Sequence, residues 1–193
     1  MNLADDRDER VMVQAARGRP QLLEILVRRH ASALLTFIHR MVGDRHRSEE
    51  LFQDVFLSVW INRARYEFPR PFKPWLYTIA LNKCRASFRR RSPPQPLGDG
   101  DPELPAPDAS PLETAVAGET AALVSRAVTE LPPQQRAVVV LRIWHDLSYA
   151  EIAEVVGCTE ATARSHMYHG LAALRQRLEP RLGEETGIRT DGK

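Results

Sequence analysis

Two cysteines occur in 193 residues, Cys84 and Cys158. They are far apart, form no CxxC pair and have no companion histidine cluster, so neither a disulfide framework nor a thiolate metal site is expected. Both thiols are expected to be reduced, in a cytosolic compartment. The chain also lacks long apolar runs. AVVVL, from Ala137 to Leu141, is among the longest, far below the roughly 20 residues that a membrane-spanning helix needs. The N-terminus MNLADDRDER is acidic and polar where a secretion signal would be basic and then apolar. Secretion and membrane insertion are both disfavoured. No glycine-rich phosphate loop, HExxH, GxSxG or paired metal-ligand spacing is present, and the six histidines, His30, His39, His46, His145, His166 and His169, are scattered. Enzymatic activity, a cofactor and a bound metal are therefore not expected. There is no alternation strong enough for a strand and no internal repeat.

What is present is a chain rich in helical patterns, with 43% hydrophobic residues, enough for packed cores. The formal net charge of +2 conceals strong segregation. Residues 1–91 carry 18 Lys and Arg against 10 Asp and Glu, whereas residues 92–118 carry five acids and no base. Residues 119–178 are neutral, with six of each sign. The stretch RSPPQPLGDGDPELPAPDASP, Arg91 to Pro111, is dense in proline, glycine and acids and reads as an extended linker. The fold class is therefore all-α. Two small helical domains are expected, an N-terminal helical bundle over 1–91 and a C-terminal four-helix domain over 114–179. A flexible acidic proline-rich linker over 92–113 joins them, and a flexible tail occupies 180–193. Helices are predicted from Asp6 to Ala16, Gln21 to Met41, Ser48 to Ala64, Pro74 to Arg90, Thr114 to Leu131 and Pro133 to His145.

The segment LSYAEIAEVVGCTEATARSHMYHGLAALRQRL, Leu147 to Leu178, contains two further helices in close succession. Ser148 is placed to cap the first, whose apolar positions Ile152, Val155 and Val156 recur at helical spacing, and Glu151 lies in its favourable first turn. Gly157 can end that helix in the left-handed conformation, and Thr159 offers a hydroxyl to cap the next. The second helix has an apolar stripe of Ala163, Met167, Leu171, Leu174 and Leu178. Arg164, Ser165, Tyr168 and His169 lie on its opposite face. A short glycine turn, a buried inner stripe and a polar outer face fit a helix-turn-helix whose second helix enters the DNA major groove. An ordinary helical hairpin fits the same pattern.

Two stretches of the basic half carry further information. In SEELFQDVFLSVWINRA the residues Leu51, Phe52, Val55, Phe56, Val59 and Trp60 form a wide apolar stripe beside Glu50, Gln53 and Asp54. Most of it reads as core, and a partner-binding edge is the alternative. In YEFPRPFKPWLYTIALNKCRASFRRR the cations Lys73, Lys83, Arg85 and Arg89 to Arg91 stand beside Phe72, Trp75 and Tyr77. Cations near aromatic rings suit single-stranded nucleic acid, whose backbone needs positive charge and whose unstacked bases need π-faces. A solvated basic face over core aromatics is the plainer reading.

Three words in order, EELFQDVFLSVW, FKPWLYTIALNKCRASFRRR and LPPQQRAVVVLRIWHDLSYAEIAEVVGCTEATARS, resemble a bacterial RNA polymerase sigma factor of the extracytoplasmic-function (ECF) group, within the sigma-70 family. The resemblance covers most of residues 21–178. It implies a promoter-specificity subunit whose partners are core polymerase, through the clamp of its β′ subunit and the flap of its β subunit, promoter DNA, and an anti-sigma factor. It implies that Glu50, Gln53, Asp54, Leu57 and Trp60 meet polymerase. Arg70, Phe72, Lys73, Trp75, Asn82, Lys83, Arg85 and Arg89 would meet the −10 DNA, with the loop from Glu67 to Pro71 receiving an extruded base. Thr159, Glu160, Thr162, Arg164, Ser165, Tyr168 and His169 would meet the −35 duplex. The acidic linker would lie along the polymerase channel that later carries RNA. The sequence departs from the family at Arg47 and Ser48, where relatives carry an Asp-Ala-Glu-Asp word, and along Ser165 to Leu171, where relatives follow Ser-Arg-x-x-Arg-Ala-Arg. A polymerase-independent helix-turn-helix regulator is the runner-up, and a helical protein-interaction module without DNA binding is the third class.

Overall fold

Capping chemistry sets most of the boundaries. In a computed structural model that describes residues 7–90 and 111–185, with side chains over 7–90 and 120–179, the chain forms α1 (Asp8–Ala16), α2 (Leu23–Val42), α3 (Arg45–Ile61), α4 (Phe72–Arg89), α5 (Pro111–Thr129), α6 (Pro133–Ile143), α7 (Tyr149–Val156) and α8 (Glu160–Glu185). No strand occurs among the described residues. The expected linker and tail fall largely outside them, although α5 opens three residues before the predicted Thr114.

Gly43 ends α2 at φ 72°, and the Asp44 carboxylate then accepts from the Arg47 backbone N–H at 2.8 Å. This cap starts α3 three residues before the expected Ser48, whose hydroxyl is buried and donates to the Asp44 carbonyl at 2.5 Å. Ser148 caps α7 in a reciprocal box with Glu151, and Gly157 closes the helix at φ 79°. Thr159 then caps α8, its hydroxyl accepting from the Thr162 N–H at 3.1 Å. These three features of the helix-turn-helix joint match the sequence expectation because each depends on atoms within four residues.

The first four helices enclose a core that includes Leu26, Phe37, Ile38, Val55, Leu76 and Leu81. In the other half α6 is the central helix. Ala137, Val138, Val139, Val140 and Leu141, five consecutive residues that point to every side of the helix, are all inaccessible to solvent. Helices α7 and α8 pack on α6, while α2 and α5 pack against each other and α2 also packs on α6. The two halves therefore share one continuous apolar cluster. The Arg136 guanidinium ties them, donating to the carbonyls of Met41, Thr129 and Leu131.

The inner face of α8 differs from the predicted stripe. Ala163, Met167 and Leu174 are buried as expected, but Leu171 is 43% exposed. Gly170 takes its place on the buried face, because α6 approaches so closely that a Cβ there would lie 2.7 Å from the Val139 Cγ2 atom.

Candidate nucleic-acid interface

One edge of α3 stands free. Glu50, Gln53, Asp54 and Leu57 are exposed at helical intervals, and Ile61, absent from the sequence expectation, continues the strip at 65% exposure. Trp60 is half-buried beneath the Arg63 guanidinium, 3.6 Å above its ring. The apolar residues Leu51, Val55, Phe56 and Val59 face the core instead. An amphipathic helix thus buries one stripe and leaves a second, mixed acidic and apolar, without cover among the described residues.

Helix α4 and the loop before it are placed differently. Phe72 is fully buried, and its backbone N–H donates to Glu9 Oε1 at 3.0 Å. Trp75 is 8% exposed and packs edge-on to Tyr66 at 5.2 Å. Both rings therefore belong to the core, as the plainer reading had it, and neither offers a free face for stacking. Phe68 in the loop is 58% exposed, and sequence reasoning did not single it out. Asn82 and Arg89 face solvent, and Lys83 lies 3.9 Å from Asp54. The remaining cations are paired with the other half of the chain. Arg70 meets the Glu154 carboxylate at 2.6 and 2.8 Å. Lys73 Nζ donates to the His145 carbonyl at 2.5 Å, and Arg85 donates to Gln134 Oε1 and the Val156 carbonyl, each at 3.0 Å.

Behind these pairs, Tyr77 Oη and His145 Nδ1 are 2.8 Å apart in the interior. Burial, with Lys73 and Arg40 nearby, lowers the His145 imidazole to about 4. It therefore stays neutral at neutral pH, while burial moves the Tyr77 phenol upward.

At the helix-turn-helix, Thr159, Glu160, Thr162, Arg164, Ser165, Tyr168 and His169 are all exposed along the first turns of α8. The Arg164 guanidinium is held twice, by Glu160 Oε2 at 3.1 Å and over the Tyr149 ring at 4.5 Å. Arg142 lies 5.2 Å from the same ring and donates to the Leu147 carbonyl at 2.9 Å. Neither Arg142 nor Tyr149 was picked out from sequence, since their placement depends on how α6, α7 and α8 meet.

A free polar face on the second helix of a glycine-turn pair, together with an uncovered α3 edge, is what the three sequence words imply. Residues 26–93 match Sigma-70 region 2, and residues 121–174 match Sigma-70, region 4. The ECF RNA polymerase sigma factor ShbA of Streptomyces griseus is 31% identical over 144 residues, covering 72% of this chain and 75% of ShbA. This chain belongs to the ECF sigma factors. The RNA polymerase sigma-H factor of Pseudomonas aeruginosa is 27% identical across 94% of this sigma factor and 99% of its own length. Among solved structures, CnrH in complex with the cytosolic domain of CnrY superposes with a TM-score of 0.71 and 26% identity, over 91% of this chain and 99% of CnrH. The sigma factor is a promoter-specificity subunit of bacterial RNA polymerase. Among its described residues no helix is long and apolar enough to cross a membrane.

Proposed function

We propose that the exposed edge of α3, with Glu50, Gln53, Asp54, Leu57 and Trp60, docks on the polymerase clamp, and that the start of α8 reads the −35 duplex. The reading extends to −10 DNA at Arg70, Lys73, Asn82, Lys83, Arg85 and Arg89, whereas Phe72 and Trp75 support that face from inside. Residues 1–91 act as the polymerase and −10 domain, 92–113 as the linker, 114–179 as the −35 domain and 180–193 as the tail. The protein works in the cytoplasm and supplies recognition, leaving bond chemistry to polymerase. An anti-sigma factor is a further partner, as the resemblance implies; CnrH, of like fold, was solved with a bound protein, the cytosolic domain of CnrY.

The observation that carries this reading is the start of α8. Seven polar residues are exposed to solvent there while Ala163, Met167 and Gly170 anchor the opposite side to α6. An arginine that reads a base edge contributes about 1–3 kcal/mol of discrimination. Arg164→Ala should therefore flatten −35 sequence preference in holoenzyme binding, and unchanged preference would remove the assignment. Gln53→Ala with Asp54→Ala should weaken association with core polymerase while the circular dichroism spectrum stays as in the wild type. Association at wild-type strength would mean the α3 edge does not meet the clamp. A polymerase-independent regulator leaves that edge without a role.

A further inference from the structure

Helix α4 carries cations assigned to −10 DNA at both of its ends, Lys73 at the second position and Arg89 at the last. Neither end is closed by its own side chains. Pro71 stands at the N-cap without a side-chain bond, no acid occupies the first turn, and Pro74 has no N–H to offer. The Phe72 N–H donates instead to Glu9 Oε1 on α1, at 3.0 Å and 63 residues away in sequence. At the other end the Arg90 N–H closes back on the Ala86 carbonyl at 3.2 Å. There the Arg47 guanidinium of α3 donates through Nη2 to the Ser87 carbonyl at 2.5 Å and through Nε to the Ser87 hydroxyl.

The signs are those that a helix favours. A carboxylate meets the partial positive charge of the N-terminus, and a guanidinium meets the partial negative charge of the C-terminus. Both side chains stand on anchored supports. Asp8, beside Glu9, accepts from Arg29 Nη1 at 2.6 Å and lies 2.6 Å from His30 Nε2, and Val11 and Met12 of the same helix are fully buried. The Arg47 backbone N–H is the group that the Asp44 carboxylate holds at the start of α3. Ser87 is itself buried, on the side of α4 away from the exposed Asn82 and Arg89. We propose that Glu9 and Arg47 are positioning residues for −10 recognition. They hold the two end turns of α4 from neighbouring helices, and so fix where Lys73 and Arg89 meet the strand, without touching DNA themselves. This rests on the assignment of Lys73 and Arg89 to −10 DNA.

Charge makes Glu9 the sharper test. Removing an acid near a polyanion should tighten binding by attraction alone, whereas loss of a support should weaken it. Glu9→Ala holoenzyme is expected to bind a single-stranded −10 oligonucleotide more weakly, by roughly 2–10-fold, the contribution of one net hydrogen bond. Glu9→Gln, which keeps an acceptor oxygen, should bind as the wild type does. Arg47→Ala also removes a positive charge, so it is measured in a cycle with Arg89→Ala. Arg89→Ala should lower the salt slope by about 0.7, the value of one phosphate on a single strand. Arg47→Ala should weaken binding in the wild-type background and have little effect once Arg89 is gone. Equal or tighter binding by Glu9→Ala overturns the proposal, as do equal losses in Glu9→Gln and Glu9→Ala, or additive losses at Arg47 and Arg89. Should Glu9→Ala fail to fold, the Arg47 cycle decides alone. If Lys73→Ala and Arg89→Ala both bind as the wild type does, the −10 assignment fails instead. Hydrogen exchange in the full chain, at the Phe72 amide and in the last turn of α4, still decides whether Glu9 and Arg47 hold the ends. It should quicken in Glu9→Ala and Arg47→Ala respectively, and unchanged exchange in both overturns the inference.

Discussion

Replacing Gly170 by alanine should destabilise the protein, although alanine is the better helix former. Inside a helix the exchange is worth about 1 kcal/mol in favour of alanine. Here the new Cβ would lie 2.7 Å from Val139 Cγ2 and 3.6 Å from Gln135 Cβ. Val139 is fully buried in α6 and has nowhere to withdraw. Overpacking of this kind costs about 1–3 kcal/mol, so a net loss of about 1 kcal/mol is expected. Val139→Ala removes the obstructing methyl groups at its own cost of roughly 2 kcal/mol, from two lost carbons and the space they leave. In that background Gly170→Ala should become stabilising by about 1 kcal/mol. The four proteins form a double-mutant cycle with an expected coupling of about 2 kcal/mol, measured by urea unfolding followed by circular dichroism. A stabilising Gly170→Ala in the wild-type background, or a coupling near zero, would refute the argument that α6 and α8 touch at Gly170. The position also bears on function, because this contact fixes the tilt at which α8 presents Arg164 and Tyr168. The close approach of Val139 is what favours glycine over alanine at this position.

Mild acidification should weaken the fold through a buried histidine. The His145 imidazole is lowered to about 4 in the folded chain by burial, whereas an unfolded histidine titrates near 6.5. The unfolded state therefore binds the extra proton first. Stability is full above about pH 6.5 and falls as pH drops toward 4, by roughly 2 kcal/mol at pH 5. His39, lowered chiefly by burial, acts in the same sense. Urea unfolding that gives one stability at pH 7.5 and pH 5 would contradict this. At the reading face, Tyr149→Leu removes the ring that holds Arg164, whereas Tyr149→Phe keeps it. A cation–π contact at an exposed site is worth about 0.5–1 kcal/mol. Tyr149→Leu holoenzyme should therefore lose roughly 2–5-fold in −35 discrimination with the phenylalanine variant unaffected, and equal loss in both would point to the hydroxyl instead.

The sequence by itself determined whatever depends on neighbours a few residues apart. The start of α7 at Ser148, its end at Gly157 and the cap at Thr159 were legible because each is a bond within one turn. The polar face of Arg164, Ser165, Tyr168 and His169 followed from helical period alone. The start of α3 was missed by three residues because Asp44 and Ser48 are both good caps, and only packing shows that Ser48 is buried.

Tertiary structure decided everything that needs a distant partner. Periodicity gives Leu171 and Gly170 adjacent claims on the inner face of α8, and the choice falls to the helix that approaches them. Aromatic residues beside cations read alike whether they stack on bases or fill a core, and burial places Phe72 and Trp75 in the core. The pairing of Arg70 with Glu154, 84 residues apart, leaves no trace in the local pattern of either segment. An ion pair fixes two charges in space and asks nothing of the residues between them, so only the packing of α4 on α7 could reveal that the basic face is covered.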